Sequence, residues 1–156
     1  MLELIRKTAL SHDFIARENG LVVAEIDRAT WSQNATVEIQ GIAYQFKKTG
    51  VMNNVYTLSV GNLEIIEVEQ ASAWQSKLVF RLDEKEYVLD TKSWFSSDLK
   101  MEQDGKIIGD IHSASMLSST LVVDLPETLP LAVRIFTGWI ALLRIEAATT
   151  VIAAAT

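Results

Sequence analysis

The chain has no cysteine, and only two prolines and two histidines among its 156 residues. Without cysteine there is no disulfide framework, no thiolate metal site and no cysteine nucleophile. That usage fits a reducing compartment. His12 and His112 are too few and too scattered for a histidine metal cluster, so neither a metal nor another cofactor is expected. The first ten residues lack a continuous apolar run, being interrupted by Glu3, Arg6 and Lys7, so no secretory signal is read there. The expected location is the cytoplasm, with peripheral attachment to a membrane left open.

A long uninterrupted apolar run is missing as well. Leu129 to Thr156 is the least polar stretch, yet Arg134, Arg144 and Glu146 break it, leaving only Ile135 to Leu143 between the arginines. A spanning helix needs about 20 apolar residues, and a charge near the bilayer centre costs ~2.5–3.5 kcal/mol. A helix this apolar on every face must nevertheless be buried in something. The reading preferred over a tail anchor is a helix enclosed by the rest of its own chain.

Charge of one sign is in short supply. The net charge is −6, with residues 1–60 balanced and residues 61–128 strongly acidic. Such a surface repels phosphate backbones, so nucleic-acid binding is not expected. The basic doublets Arg6-Lys7 and Lys47-Lys48 read first as solvated strand ends and only second as an anion site.

What the sequence does have is alternation. Ala35, Val37 and Ile39 alternate with polar neighbours, as do Ile42, Tyr44 and Phe46, then Leu78, Phe80 and Leu82, then Leu121, Val123 and Leu125. This period of two marks half-buried strands. Asn19-Gly20 and Asp104-Gly105 are favoured two-residue hairpin turns, because their residues accept positive φ. Gly41, Gly50, Gly61-Asn62 and Asp83-Glu84 mark further reversals. About twelve strands result, over 2–8, 12–17, 21–28, 35–40, 42–48, 55–60, 62–70, 76–82, 85–90, 98–103, 106–112 and 119–125. Pro126 then ends the strand pattern, Thr128 is the expected N-cap, and Pro130 is tolerated in the first helical turn. The expectation is one domain, residues 1–156: an all-β antiparallel barrel of about twelve strands enclosing a hydrophobic C-terminal helix over about 129–150. Gly138 would let a strand or ring approach that helix closely.

This order of twelve strands and one apolar terminal helix resembles the tubby C-terminal-like superfamily, which includes tubby proteins, phospholipid scramblases and LURP-one-related proteins. Local features similar to small bacterial-type members are Ala73-Trp74-Gln75, Tyr87-Val88-Leu89 leading to Lys92-Ser93-Trp94-Phe95, Asp104 through Gly109, and Asp124-Leu125-Pro126-Glu127 leading into Leu129-Pro130-Leu131. The resemblance implies a barrel threaded by the chain's own end. For tubby domains it also implies phosphoinositide head groups held by exterior basic side chains, a site that does not map onto this chain. The chain departs from scramblases in lacking their cysteine-rich stretch and a run of acids at calcium-loop spacing. Fold alone does not set function.

Catalytic motifs are scarce. Ser11-His12-Asp13 holds the three triad residue types, but neighbours on a strand point to opposite faces. Glu67 and Glu69 share a face, which a solvated strand exterior explains without catalysis. No catalytic residue is assigned. Trp139 reads as core, while Trp31 and Trp74 read as rings sealing the barrel's ends. Lys92, Trp94 and Phe95, in a serine-rich stretch, form with Lys47 and Lys48 the best surface-binding candidates. The expected function is non-enzymatic binding or tethering through the barrel exterior, to an anionic phospholipid surface or a protein partner. A barrel filled by its own helix leaves no interior site for a small molecule. Alternatives are an intracellular enzyme with a rim active site around His12 or His112, and a tail-anchored membrane protein. Oligomeric state is not read from the sequence.

Overall fold

The computed structural model describes residues 1–8, 11–29, 34–50, 54–72, 75–93, 97–115 and 118–155, with side chains up to residue 148 of the last helix. Twelve strands follow one another: β1 (Leu2–Arg6), β2 (Phe14–Glu18), β3 (Leu21–Arg28), β4 (Ala35–Ile39), β5 (Ile42–Thr49), β6 (Val55–Val60), β7 (Leu63–Gln70), β8 (Leu78–Leu82), β9 (Lys85–Thr91), β10 (Leu99–Gln103), β11 (Lys106–Ser113) and β12 (Leu121–Asp124). Each pairs antiparallel with the next. The β1–β12 pair, with Leu2 opposite Val123 and Leu4 opposite Leu121, closes the barrel. A helix, α1 (Leu131–Ala155), follows.

The barrel's two ends differ. At one end, five tight hairpins turn at residues 19–20, 40–41, 61–62, 83–84 and 104–105. Positive φ at both Asn19 and Gly20, and at both Asp104 and Gly105, gives these turns the twist that matches the strands. At the other end, longer loops connect each hairpin to the next. We call these the hairpin rim and the loop rim.

The architecture is also threefold repetitive. β3, β7 and β11 each carry a bulge, which faces Ala16/Arg17, Leu58/Ser59 and Met101/Glu102 respectively. These positions recur about every 42 residues, so four strands form one repeat. The loop rim repeats too: Ala29, Ala71 and Ala114 each donate a backbone hydrogen bond, to the carbonyls of Asn34, Lys77 and Thr120.

Eight strands make a barrel whose own side chains fill it, whereas twelve leave a wider lumen. Here α1 fills it. Trp139, Phe136, Ile135 and Ile140 are fully buried, and Trp139 packs against Phe46 at 5.5 Å and Tyr56 at 6.0 Å between ring centroids. Gly138 lets α1 lie against the closing strands, because a Cβ there would come within 2.8 Å of Leu4 and 2.9 Å of Val123. Gly109 makes room where the chain leaves β12 for the lumen: a Cβ there would overlap the Asp124 carbonyl oxygen. The corresponding repeat positions hold Ala24 and Ile66.

Two local expectations are corrected. Pro130, not Thr128, is the capping residue, since its carbonyl accepts the first helical hydrogen bonds, from Val133 and Arg134. The helix starts at Leu131 and runs to Ala155 rather than over 129–150. Ile42 departs from its inward alternation with Tyr44 and Phe46. It is 47% exposed because it follows the turn directly, at the edge of the rim. Of the segment considered as a tail anchor, Leu129 and the stretch Val133 to Leu143 lie in the core of the barrel, and among the described residues no helix is long and apolar enough to cross a membrane.

Candidate functional site

With the lumen filled, the surfaces left for recognition are the barrel wall and its two rims. An arginine–carboxylate pair holds the helix at each rim. At the hairpin rim, buried Arg134 of α1 donates to Glu18 at 2.6 Å and to the Leu129 carbonyl at 3.1 Å. At the loop rim the roles reverse: Arg28 of β3 donates to both carboxylate oxygens of Glu146, at 2.8 and 3.0 Å. Arg144 also reaches that rim, donating to the Ser76 carbonyl at 2.7 Å. Burial raises the Tyr56 phenol pKa, and Arg144 opposes that shift.

The hairpin rim is apolar and acidic together. The exposed large apolar side chains among the described residues lie there, Met1, Leu21, Val22, Ile42, Leu63 and Ile107, with Ile65 just beyond on β7. Leu21, Leu63 and Ile107 are 72%, 69% and 64% exposed, on three hairpins around the rim. The half of the chain nearest this rim (1–3, 17–22, 38–43, 59–64, 81–86, 102–107 and 124–134) holds 11 of the 20 acids and 5 of the 14 lysines and arginines. The loop half, with nine of each, is neutral, so the whole net charge of −6 belongs to the hairpin half.

The surface candidates read from the sequence do not form one cluster. Lys47 is exposed on the outer face of β5, while Lys48 shares the inward face with Phe46 near the loop rim. Lys92 follows β9, four strands away, and is hydrogen-bonded to Asp110 of β11. That bond raises the Lys92 pKa. Burial pushes Asp110 upward, but the hydrogen bonds and charges of Lys92 and His112 outweigh it and leave its carboxyl below the ordinary value. His112 lies within β11 and meets Asp110 through Nδ1 at 2.9 Å. Trp94, Phe95, Trp31 and Trp74 lie outside the described residues.

The triad residue types at 11–13 are occupied in shaping a loop. Ser11 Oγ accepts the Asp13 backbone N–H, Asp13 Oδ1 accepts the Arg28 backbone N–H at 3.0 Å, and the His12 carbonyl accepts Arg28 Nε. Glu67 and Glu69 share the exposed outer face of β7, where the Glu67 carboxylate, accepting a hydrogen bond from protonated Glu69 and repelling its charged form, raises the Glu69 pKa. Among the described residues no three or more histidine, aspartate or glutamate side chains gather where a metal ion would sit.

The missed signal was in the turns. Pairs such as Asn19-Gly20, Gly61-Asn62 and Asp104-Gly105 recur on a regular period, and each is followed within two residues by an apolar one: Leu21, Leu63 and Ile107. No family model matches the chain, and no curated protein or solved structure matches it.

Proposed function

We propose that the chain is a non-enzymatic binding module that docks through its hairpin rim onto a protein surface carrying apolar and basic side chains. The observation that carries this reading is the coincidence of the exposed apolar residues with the acidic half of the molecule. Scattered surface apolar residues need no explanation, but several gathered at one end of the barrel in an acidic surround suit an interface. The acids favour a cationic partner and disfavour an anionic membrane, because complementary charge steers association. The lumen, filled by α1, leaves recognition to the exterior. The likeness to the tubby C-terminal-like group remains part of this proposal, supported by the barrel-and-helix plan.

The test is co-purification with tagged full-length chain from the cells that make it, comparing wild type with Leu63→Ser/Ile107→Ser. The reading expects a stoichiometric basic protein that is lost from the double variant and weakened by added salt. A partner retained equally by the variant, or recovery of anionic vesicles by both forms, would contradict it.

A further inference from the structure

A cleft of ≈ 350 Å³ opens at the loop rim beside the β1–β12 seam, within the usual size range of small-ligand sites. Arg6, His12 and Arg28 line it together with the hydroxyl residues Ser113, Ser118, Ser119 and Thr120. Its apolar side is Leu121, Leu142 and Ile145. Two guanidinium groups share the Phe14 ring, Arg6 at 5.5 Å and Arg28 at 5.3 Å from its centroid. The cleft has one carboxylate, Glu146, and Arg28 holds both of its oxygens.

Arg6 is left over. Its Nε is fully buried without a hydrogen-bond partner, and among the described residues it makes no ion pair. A buried donor without an acceptor is costly, and more so on a charged group. The other two repeats do not reproduce the arrangement: the positions equivalent to Arg6 are Lys48 and Thr91. The cleft at Thr91 is lined by Ser76, Lys77, Asp90 and Lys92, with no arginine.

We infer that this cleft binds a small soluble phosphomonoester. Arg6 takes the phosphate through its planar fork of donors, which matches oxyanion geometry. The nearby hydroxyls supply further donors, more than the two oxygens of a carboxylate would use. Ser118 already accepts the Thr120 backbone N–H at 3.0 Å, which leaves its own O–H to donate. Leu142 and Ile145 offer an apolar side for the organic part of the ester. The site lies at the opposite end from the proposed docking rim and stands or falls separately from it.

The experiment titrates full-length protein with phenyl phosphate, inorganic phosphate and benzoate by calorimetry and thermal melting, and with phosphatidic acid vesicles by flotation. Phenyl phosphate is expected to bind saturably, competitively with inorganic phosphate and at least tenfold more tightly than benzoate. Arg6→Gln should weaken it at least tenfold, with Arg6→Lys between. Without phosphate, Arg6→Gln should melt no lower than wild type, since it removes a half-buried, unneutralised cation and its buried unpaired Nε donor. Benzoate binding as tightly as phenyl phosphate, binding unchanged by Arg6→Gln, or binding only to vesicles would each overturn the assignment. So would an Arg6→Gln variant that melts well below wild type, because Arg6 would then be structural.

Discussion

The hairpin rim and the loop rim are made by the same repeated strands, yet they differ in composition and in how the helix is held. The hairpin rim takes the net charge and the exposed apolar residues, and receives Arg134 from the helix. The loop rim is charge-neutral, and its own Arg28 reaches for Glu146 on the helix. Tight two-residue turns leave little side chain to fold back, so the residues that follow them stand in solvent. Longer loops can enclose a cleft. The comparison shows that a symmetric scaffold acquires two unlike surfaces through turn length and through which partner supplies the cation.

Removing the helix would break that comparison most severely. Deletion of residues 131–155 empties the lumen, and we expect the variant to lose its β circular dichroism signal and its monomeric elution volume. A deletion product that stays folded would show that the barrel stands without its filling. Trp139→Ala keeps the helix but opens a cavity between Phe46 and Tyr56, and should cost about 3–5 kcal/mol in urea unfolding.

Glu18→Gln and Glu146→Gln sharpen the contrast by loosening one end each. Each removes a charge-assisted bond and should cost about 2 kcal/mol in urea unfolding. The Glu18 loss should be the larger, since Glu18 is 18% exposed and Glu146 28%.

The smallest effect concerns Asp110 on the outer wall. Its folded pKa is depressed, so its pairing with Lys92 and His112 stabilises above the unfolded carboxylate pKa of about 3.9. That stabilisation is lost as pH falls through the folded value. The stability difference between wild type and Asp110→Asn, followed from neutral to acid pH, should therefore shrink at low pH.

Much of the fold was legible because alternation depends only on neighbouring residues. Ala35, Val37 and Ile39 are buried as the pattern requires. The helix was legible as something that needed enclosing. Capping was not, because Thr128 and Pro130 compete for one position and only the path of the chain from β12 decides between them. Arg6 was read within the doublet Arg6-Lys7, as a solvated strand end. The β1 pattern separates the two: Arg6 follows Leu2 and Leu4 inward, while Lys7 pairs with Glu25 at 2.9 Å. The apolar hairpin rim was not legible because Leu21, Ile42, Leu63 and Ile107 are far apart in sequence and come to one end only when the barrel closes.

The most direct measurement is site-specific photo-cross-linking in the native cell, with the cross-linker at position 63 or 107 and, for comparison, at position 47 or 77. Capture of one basic protein from positions 63 and 107, and not from 47 or 77, is the predicted result. Equal capture from both sets, lipid adducts at the hairpin rim, or capture only of a second copy of the chain would contradict the proposed docking surface.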